Sequence, residues 1–521
     1  MVAVFLYNMR LFFMTGNFTM SKAKSGFSMS LRAIAVFGVS SAIFTASAQE
    51  KIAINIEQDN DTLAPNAIES NPAEALGKPL ANTLPSYDEQ KSEDIVFMPE
   101  ELIANPKQLE SLLVQAIYGY EVEGLKLLIP LYTQVETRDE SLVEWGNALI
   151  AMNANRTAEA VALYRKLISH FPDNQLLRFQ TAMALYRNNE MIAAKDQFEK
   201  LRATKLSQKD LEVINEFITQ IDKRDEWAFE GSLSYIHDNN INNVAPKGTK
   251  ILLGNGFELI SNRDPEKAQG VDFSFGANKK WSINDNFYSS FAASVDGVHY
   301  FGKRKYDDIT ARISGGVGYR TSTIDLELTP YFQKRFYGQG GSGDGELHAY
   351  STSAGLQLNG GYWFTPKWKY QGVLEYGYDD HIDSYSYLDG KRINFSNTFF
   401  FAPSQKQYWY AGLDTGYKDA RSGKDAYNRH GIRLGWGQEW GKGISTRLTG
   451  GIAKRYAKGG DLFGIERKDK EYNASLSLWH RNLHFWGITP KLVFSHSKVK
   501  SNNLFYNYDT NKFYLDFSKS F

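Results

Sequence analysis

The sequence predicts an α plus transmembrane β protein, in which TPR-like helical repeats precede an antiparallel outer-membrane β-barrel of about fourteen strands. Three observations predict it. The N-terminus has the pattern of an export signal, apolar residues recur at helical spacing over 101–225, and apolar and polar residues alternate over 226–521. With 521 residues, the chain also exceeds what one hydrophobic core usually serves, so at least two domains are expected.

The composition excludes several classes of protein. The 59 basic and 59 acidic residues balance, which leaves no net field to hold nucleic acid as a partner. After the N-terminus no run reaches the roughly 18 apolar residues of a membrane-spanning helix. Membrane-spanning barrel strands are not excluded, because the alternation of polar and apolar residues keeps the mean hydropathy of such strands low. The absence of cysteine removes disulfides, thiolate metal sites and cysteine nucleophiles.

The first hundred residues are predicted to lie outside the folded domains. Basic residues precede the apolar stretch 33–44, and Ala46-Ser47-Ala48 forms a small-residue cleavage site, so residues 1–48 are predicted to be a signal peptide. The apolar residues before Met20 have no role in that scheme, which indicates an over-extended start. Residues 49–100 contain eleven acids and three bases and lack periodicity, which predicts an acidic disordered linker.

An internal period of 34 residues predicts a TPR-like helical domain over 101–225, on the periplasmic side of the membrane. Small residues and aromatics recur at this period, with Ala148, Ala160 and Tyr164 matching Ala182, Ala194 and Phe198. The stretch 108–135 has the spacing of a looser preceding helix pair. Three helix pairs and a capping helix are enough for a stable array.

Two trios at the same period are candidates for a cargo-binding groove: Trp145, Leu149 and Met152, and then Phe179, Met183 and Tyr186. Spacings of i, i+4 and i+7 place each trio on one helix face. A surface rich in methionine and aromatic rings suits partners of varied sequence. The alternative, that the six side chains pack the core of the array, stays open.

Period-2 alternation predicts strands from Trp227 onward. Val271, Phe273 and Phe275 alternate with polar residues, and 309–317 and 324–328 do the same. Short connections, such as 282–285 and 320–323, mostly alternate with long Gly/Asp/Lys-rich ones, which is typical of periplasmic turns and extracellular loops. The short link 303–305 is the one connection that does not fit this alternation, because a long loop is expected there. Aromatics beside the short turns predict a periplasmic girdle, namely Trp281, Tyr319, Trp363, Phe401, Trp440 and Trp486.

The final strand and the polar strand faces have separate predicted roles. Phe513, Leu515, Phe517 and Phe521 lie on one face of the last strand and are similar to the C-terminal signal read by the outer-membrane barrel assembly machinery. An ordinary lipid-facing strand is compatible with the same pattern. The polar faces are expected to line a path through the barrel, and they include Arg312, Arg433, Arg447 and Arg455.

Two stretches match the spacing of nucleotide-binding motifs but lack features that those motifs need. Residues 338–343 fit GxGxxG, but they lie in a predicted loop with no helix after them to hold phosphate. Residues 297–303 have the spacing of a P-loop, yet Arg304 replaces the Ser or Thr that Mg²⁺ requires. We therefore expect no catalytic residue, no metal site and no cofactor.

Several local segments accompany the combination of signal peptide, short TPR array and barrel, namely His237–Asn243, Gly487–Pro490, Ser501–Asn503, Tyr506–Tyr508 and the terminal phenylalanine. In these segments and in that combination, the mature chain resembles the surface lipoprotein assembly modifier (Slam) family. The linker has no counterpart that we can match.

The resemblance implies a translocator that moves a cargo protein across the outer membrane. The cargo implied is a surface lipoprotein or a secreted haem- or metal-scavenging protein, delivered with a periplasmic chaperone. An exopolysaccharide-export porin with a TPR domain is the alternative function, and an outer-membrane enzyme is a third.

Overall fold

The computed structural model describes residues 99–252, 258–339, 346–365, 367–404, 406–461, 464–486 and 488–520. The predicted signal peptide, nearly all of the predicted linker and Phe521 lie outside the described residues. A helical region comes first and a closed barrel follows, as the two periodicities predict.

Among the described residues, the helical region consists of a short first helix, three antiparallel helix pairs and a final single helix. In chain order the helices are α1 (Pro99–Ala104), α2 (Pro106–Tyr118), α3 (Val122–Tyr132), α4 (Glu140–Asn153), α5 (Thr157–His170), α6 (Gln175–Arg187), α7 (Met191–Arg202) and α8 (Gln208–Lys223). None of the described helices combines the length and the hydropathy needed to cross a membrane.

Local sequence explains where these helices begin and turn. The side chains of Asp139, Asn174 and Ser207 cap the N-termini of α4, α6 and α8 by accepting backbone N–H bonds. Between the two helices of a pair, Asn155 and Asn189 have φ of 59° and 69°, a left-handed conformation that asparagine tolerates better than most residues. These asparagines are 34 residues apart, so the turn repeats with the helices.

The core of the helical region forms where small residues let the helices approach. Ala148, Ala160, Ala182 and Ala194 are completely buried. The ring that follows a turn later, Tyr164 in the first repeat and Phe198 in the next, fills the remaining space and is also buried. The residues that define the 34-residue period are therefore the ones that join the helices.

Fourteen strands close into an antiparallel barrel, and a two-stranded hairpin lies in the connection after the first. The strands are β1 (Ala228–Asp238), β2 (Lys250–Leu252), β3 (Glu258–Ile260), β4 (Ala268–Ser282), β5 (Phe287–Tyr300), β6 (Asp308–Arg320), β7 (Ile324–Tyr337), β8 (His348–Thr365), β9 (Trp368–His381), β10 (Gly390–Ser404), β11 (Gln407–Ala420), β12 (Tyr427–Glu439), β13 (Ile444–Gly460), β14 (Glu466–His480), β15 (Lys491–Ser501) and β16 (Tyr508–Ser520). Sequential neighbours pair, and β1 pairs with both β4 and β16.

The alternation places apolar side chains outside and polar ones inside the barrel. Outward Ile313, Leu413 and Ile432 are 52–57% exposed, as lipid-facing residues of a barrel are. Inward Asp325 and Glu327 are only 2–3% exposed. Charged side chains on the inside and aliphatic ones on the outside are the reverse of a soluble protein, and this distinguishes the barrel from a soluble sandwich.

The predicted girdle is partly correct. Trp281 and Trp440 are exposed on the outside near the short turns. Trp363 instead belongs to the inward face of β8, where the amine of buried Lys369 lies 5.4 Å from its ring centroid. Trp486 is 83% exposed in the connection 481–490, which is longer than the other connections at this end. The link between β5 and β6 is short, as its sequence indicates.

Candidate functional site

The six predicted groove residues lie together, but they lie in the core. Five of them are 5–8% exposed: Trp145, Leu149, Met152, Met183 and Tyr186. The sixth, Phe179, is half-buried and its ring lies edge-on to that of Phe198, with centroids 6.4 Å apart. This arrangement favours the core-packing alternative, and a role of the six in binding cargo stays a prediction.

Two of these aromatic side chains, Trp145 and Tyr186, donate hydrogen bonds to glutamine side chains of the following repeat. The indole N–H of Trp145 on α4 donates to the side-chain oxygen of Gln180 on α6. The hydroxyl of Tyr186 on α6 donates to Gln220 on α8, at 2.9 Å. Both rings therefore join successive repeats. The 35- and 34-residue spacings to these glutamines were the sequence signal for this role.

The inside of the barrel holds ion pairs along one wall. Arg312 on β6 donates to Gln357 on β8 at 2.6 Å and to Glu375 on β9 at 3.2 Å. Arg433 on β12 is paired with Asp414 on β11 and also bonds to hydroxyls on β10. Because each arginine reaches neighbouring strands, these side chains lie along the wall.

Two more of the predicted path arginines face inward near the same wall. Arg455 on β13 lies 3.4 Å from Glu471 on β14, which also accepts from Arg429 at 2.8 Å. Arg447, eight residues nearer the short connection before β13, is half-buried. The predicted path residues thus face the inside of the barrel, and Arg312, Arg433 and Arg455 are ion-paired there.

The opposite wall carries small inward residues. Ser518 on β16, Ser232 on β1 and Ser274 on β4 are register partners, side by side across three strands, and each is half-buried. Other small inward residues extend this serine belt on both sides, at Ser475, Ser477, Ser495, Ser497, Gly276, Ala292 and Ser294. The residues of this belt have short side chains, and the ion pair of Lys491 with Asp516 lies on the same side.

The helical region contacts the barrel through the short turns. Asp225, just after α8, accepts from the backbone and hydroxyl of Ser282 at 2.8 and 3.0 Å. The backbone N–H of Ala193, in the first turn of α7, donates to the carboxylate of Asp285 at 2.8 Å. The turn therefore places a negative charge at a helix N-terminus, where it is favourable.

A third contact joins α5 to the turn between β6 and β7, where the hydroxyls of Thr157 and Ser322 are 2.7 Å apart. Arg224, at the end of α8, lies at the same mouth. Burial lowers the pKa of Arg224 to about 10, and the neighbouring cation of Arg320 contributes, while Asp225 opposes the change. The helical region is thus held at the mouth by hydrogen bonds and charges.

The described residues of the predicted assembly signal form the outside of the last strand. Phe513, Leu515 and Phe517 pair with His237, Tyr235 and Leu233 on β1. Phe513 is 41% exposed, as expected of a lipid-facing residue.

Solved outer-membrane proteins give only a distant structural likeness. The toluene transporter TodX of Pseudomonas putida covers 57% of this chain and 90% of its own, with 11% identity and a TM-score of 0.34. A bacterial polysaccharide outer membrane secretin covers 56% and 98%, with 12% identity and a TM-score of 0.32. Scores this low carry no inference about function.

Family models and curated relatives give a much closer match. Residues 227–521 match the model described as surface lipoprotein assembly modifier, and residues 95–198 match its N-terminal TPR repeats. The chain is 38% identical to surface lipoprotein assembly modifier 1 of Haemophilus influenzae, over 81% of this chain and 86% of that protein.

Two further relatives extend the match. The surface lipoprotein assembly modifier of Pasteurella multocida is 36% identical, over 92% of this chain and 94% of its own. The hemophilin secretion modulator of Acinetobacter baumannii is 23% identical, over 78% and 84%. With both parts matched in order and a relative above 30% identity along most of its length, the chain belongs to the surface lipoprotein assembly modifier (Slam) family.

Proposed function

We propose that this protein carries a cargo protein from the periplasm across the outer membrane to the cell surface or the medium. One observation carries the proposal: a TPR array and a fourteen-strand barrel, each matching its own Slam model, occur in one chain in the family's order. The barrel spans the outer membrane and the helical region is periplasmic. Transport, and not catalysis, is the activity that this architecture supports.

The cargo is either a surface lipoprotein or a secreted scavenger of haem or metal. The first is the cargo class in the names of several relatives, and the second is supported by the relative named as a hemophilin secretion modulator. The helical region at the mouth would capture the cargo, or a periplasmic chaperone that delivers it. Capture next to the pore raises the local concentration of cargo there.

The lumen offers a route that needs no nucleotide. Serine-rich inward positions from β14 to β5 would face a passing polypeptide, while the paired arginines and carboxylates hold the opposite wall. Folding of the cargo outside the cell would give direction, because a folded protein cannot return through the same opening. The barrel assembly machinery would insert the chain by recognising its last strand, including Phe513, Leu515, Phe517 and Phe521.

Co-expression with candidate cargo tests the proposal. Proteins encoded next to this chain would be expressed with the full chain, with residues 226–521 behind a signal peptide, and alone. We expect one of them to be stained by antibody and shaved by protease on intact cells at least tenfold more with the full chain. The barrel alone should support less display, because it lacks the capture step.

Two outcomes would contradict the proposed transport function. If no neighbouring protein reaches the surface or medium more efficiently with the full chain, the translocator function is wrong. If deleting the chain instead abolishes release of a polysaccharide and leaves protein display unchanged, the exopolysaccharide-export porin is the correct function.

A further inference from the structure

The Asn-rich segment after β1 bonds to the last strand. Asn239 makes two hydrogen bonds with the backbone of Asn511. The backbone N–H of Asn239 donates to the carbonyl of Asn511 at 3.3 Å, and the side-chain oxygen of Asn239 accepts from the N–H of Asn511 at 2.7 Å. The side-chain amide of Asn240 donates to the carbonyl of Asp509 at 3.2 Å. These bonds continue the contact between β1 and β16 beyond the end of β1.

The next residues of the segment reinforce that contact. Asn243, whose φ of 47° is left-handed, accepts from the hydroxyl of Thr510 at 3.1 Å. Ile241 is 8% exposed and belongs to a buried apolar cluster inside the barrel end, with Ile236, Ala268, Tyr300, Val493 and Tyr514. The segment is therefore pinned by an apolar side chain as well as by hydrogen bonds.

Asn242 differs from its neighbours. Its side-chain amide donates to the carbonyl of Asp264, and its side-chain oxygen accepts from the backbone of Glu266, both at 2.9 Å. These partners belong to the returning part of the same connection. Asn242 therefore orders the connection, while Asn239, Asn240 and Asn243 reach across to β16.

The boundary between β1 and β16, the seam, differs from every other pair of neighbours in the barrel. Every other neighbouring pair is joined by a chain connection, so only this pair can separate without disturbing one. Among the described residues nine register pairs join β1 to β16 and nine join β16 to β15, against eleven to fourteen elsewhere.

Apolar and polar side chains both meet across the inner face of the seam, where Ile236 and Tyr514 are register partners in the apolar cluster described above. Ser234 donates to Asp516 at 2.9 Å, and Lys512 lies 3.2 Å from Asp238. Below them the register partners Ser232 and Ser518 are small. The contacts of the helical region described above fall on the turns after β4 and β6, on the β1 side of the seam. The helical region therefore contacts the β1 side of the seam, whereas Asn239, Asn240 and Asn243 bond to β16 on the other side.

We propose that the seam between β1 and β16 opens sideways during export, and that Asn239, Asn240 and Asn243 are positioning residues that latch it at the extracellular end. The inference rests on the proposed function and adds a route to it. A cargo with an acyl anchor needs such a route, because moving acyl chains through a polar lumen is costly. An open seam lets the polypeptide follow the serine belt while the acyl chains stay in the bilayer.

A reversible lock tests the opening. The chain has no cysteine, so Ser232→Cys with Ser518→Cys gives one defined disulfide across the seam. The matched control is Asn359→Cys with Val373→Cys, inward register partners on β8 and β9 outside the serine belt. We expect oxidation to lower export of the cargo identified above at least tenfold in the seam variant, with recovery on reduction, and to leave the control unchanged. Undiminished export through the locked seam would overturn the inference.

Conductance of the purified full chain in planar bilayers, with KCl as the probe, tests the latch without any cargo. Asn239→Ala with Asn240→Ala should open several times more often than the wild type, and the oxidised seam lock in that background should abolish the increase. Asn242→Ala, the control, should behave as wild type. Equal opening in the double variant and in Asn242→Ala would refute the latch. If the wild type exports no cargo, the proposed function fails while this comparison still decides the latch.

Discussion

At the scale of single residues, Trp145 shows how a predicted binding residue acts in packing. It is 7% exposed and its N–H is bonded to Gln180. We expect Trp145→Ala to destabilise the helical region by about 3–5 kcal/mol, as loss of a buried Trp does. Thermal unfolding and limited proteolysis of the full chain would measure it. Leu127→Ala is the control, because Leu127 is 72% exposed in the same region.

The same variant also tests cargo binding. Should Trp145→Ala, with or without Phe179→Ala, leave the helical region folded but reduce cargo display, the side chain faces a partner and the cargo-binding prediction is right. A helical region that unfolds would leave packing as the sole role of these rings.

At the scale of elements, tyrosine rings on β11 pack against glycines on β12 and match the register of the two strands. A Cβ on Gly435 of β12 would lie 2.0 Å from the buried ring of Tyr410 on β11, and Gly437 has the same relation to Tyr408. The absent side chain makes room for the ring across the strand pair. This is how aromatic residues rescue glycines in designed sheets.

Gly435→Ala is therefore expected to displace Tyr410 and to destabilise the barrel by about 1–3 kcal/mol, the usual effect of overpacking. Urea unfolding of the barrel refolded in lipid vesicles would measure it. Gly450→Ala is the matched control on β13, where the nearest atom to an added Cβ is 3.8 Å away. Similar losses in both variants would mean that glycine itself, and not the ring, sets the stability.

At the scale of the whole molecule, the contacts at the barrel mouth fix the position of the helical region. The hydroxyls of Thr157 and Ser322 are 2.7 Å apart. Thr157→Cys with Ser322→Cys should thus form a disulfide in the full chain, detected as a shift on non-reducing gels. Asp285→Ala removes the bond to Ala193 and should lower the yield.

Thr157→Cys with Lys442→Cys is the control for this cross-link. Lys442 lies in the connection between β12 and β13, six strands further round the barrel. Equal cross-linking to both positions would show that the helical region moves freely over the mouth.

Sequence patterning predicted the architecture because the periods of a helix and a strand are local properties. The 34-residue repeat marked the alanines and rings that join the helices, and the period-2 alternation gave about fourteen strands, the number observed. One position depended on contacts between strands. Trp363 was expected in the outer girdle but occupies an inward position of β8, since its place in the pleat depends on the register with β9.

The sequence by itself determined the two kinds of element, their order and the family. Only the tertiary structure decided what the recurring residues touch. Spacing placed Trp145 and Tyr186 on helix faces, but it did not show that they bond to Gln180 and Gln220 on the next repeat. The role inferred for the Asn-rich segment depends on partners about 270 residues away on β16, brought together by barrel closure. Sequence spacing encodes contacts within one element, whereas closure of the barrel sets the contacts between its ends.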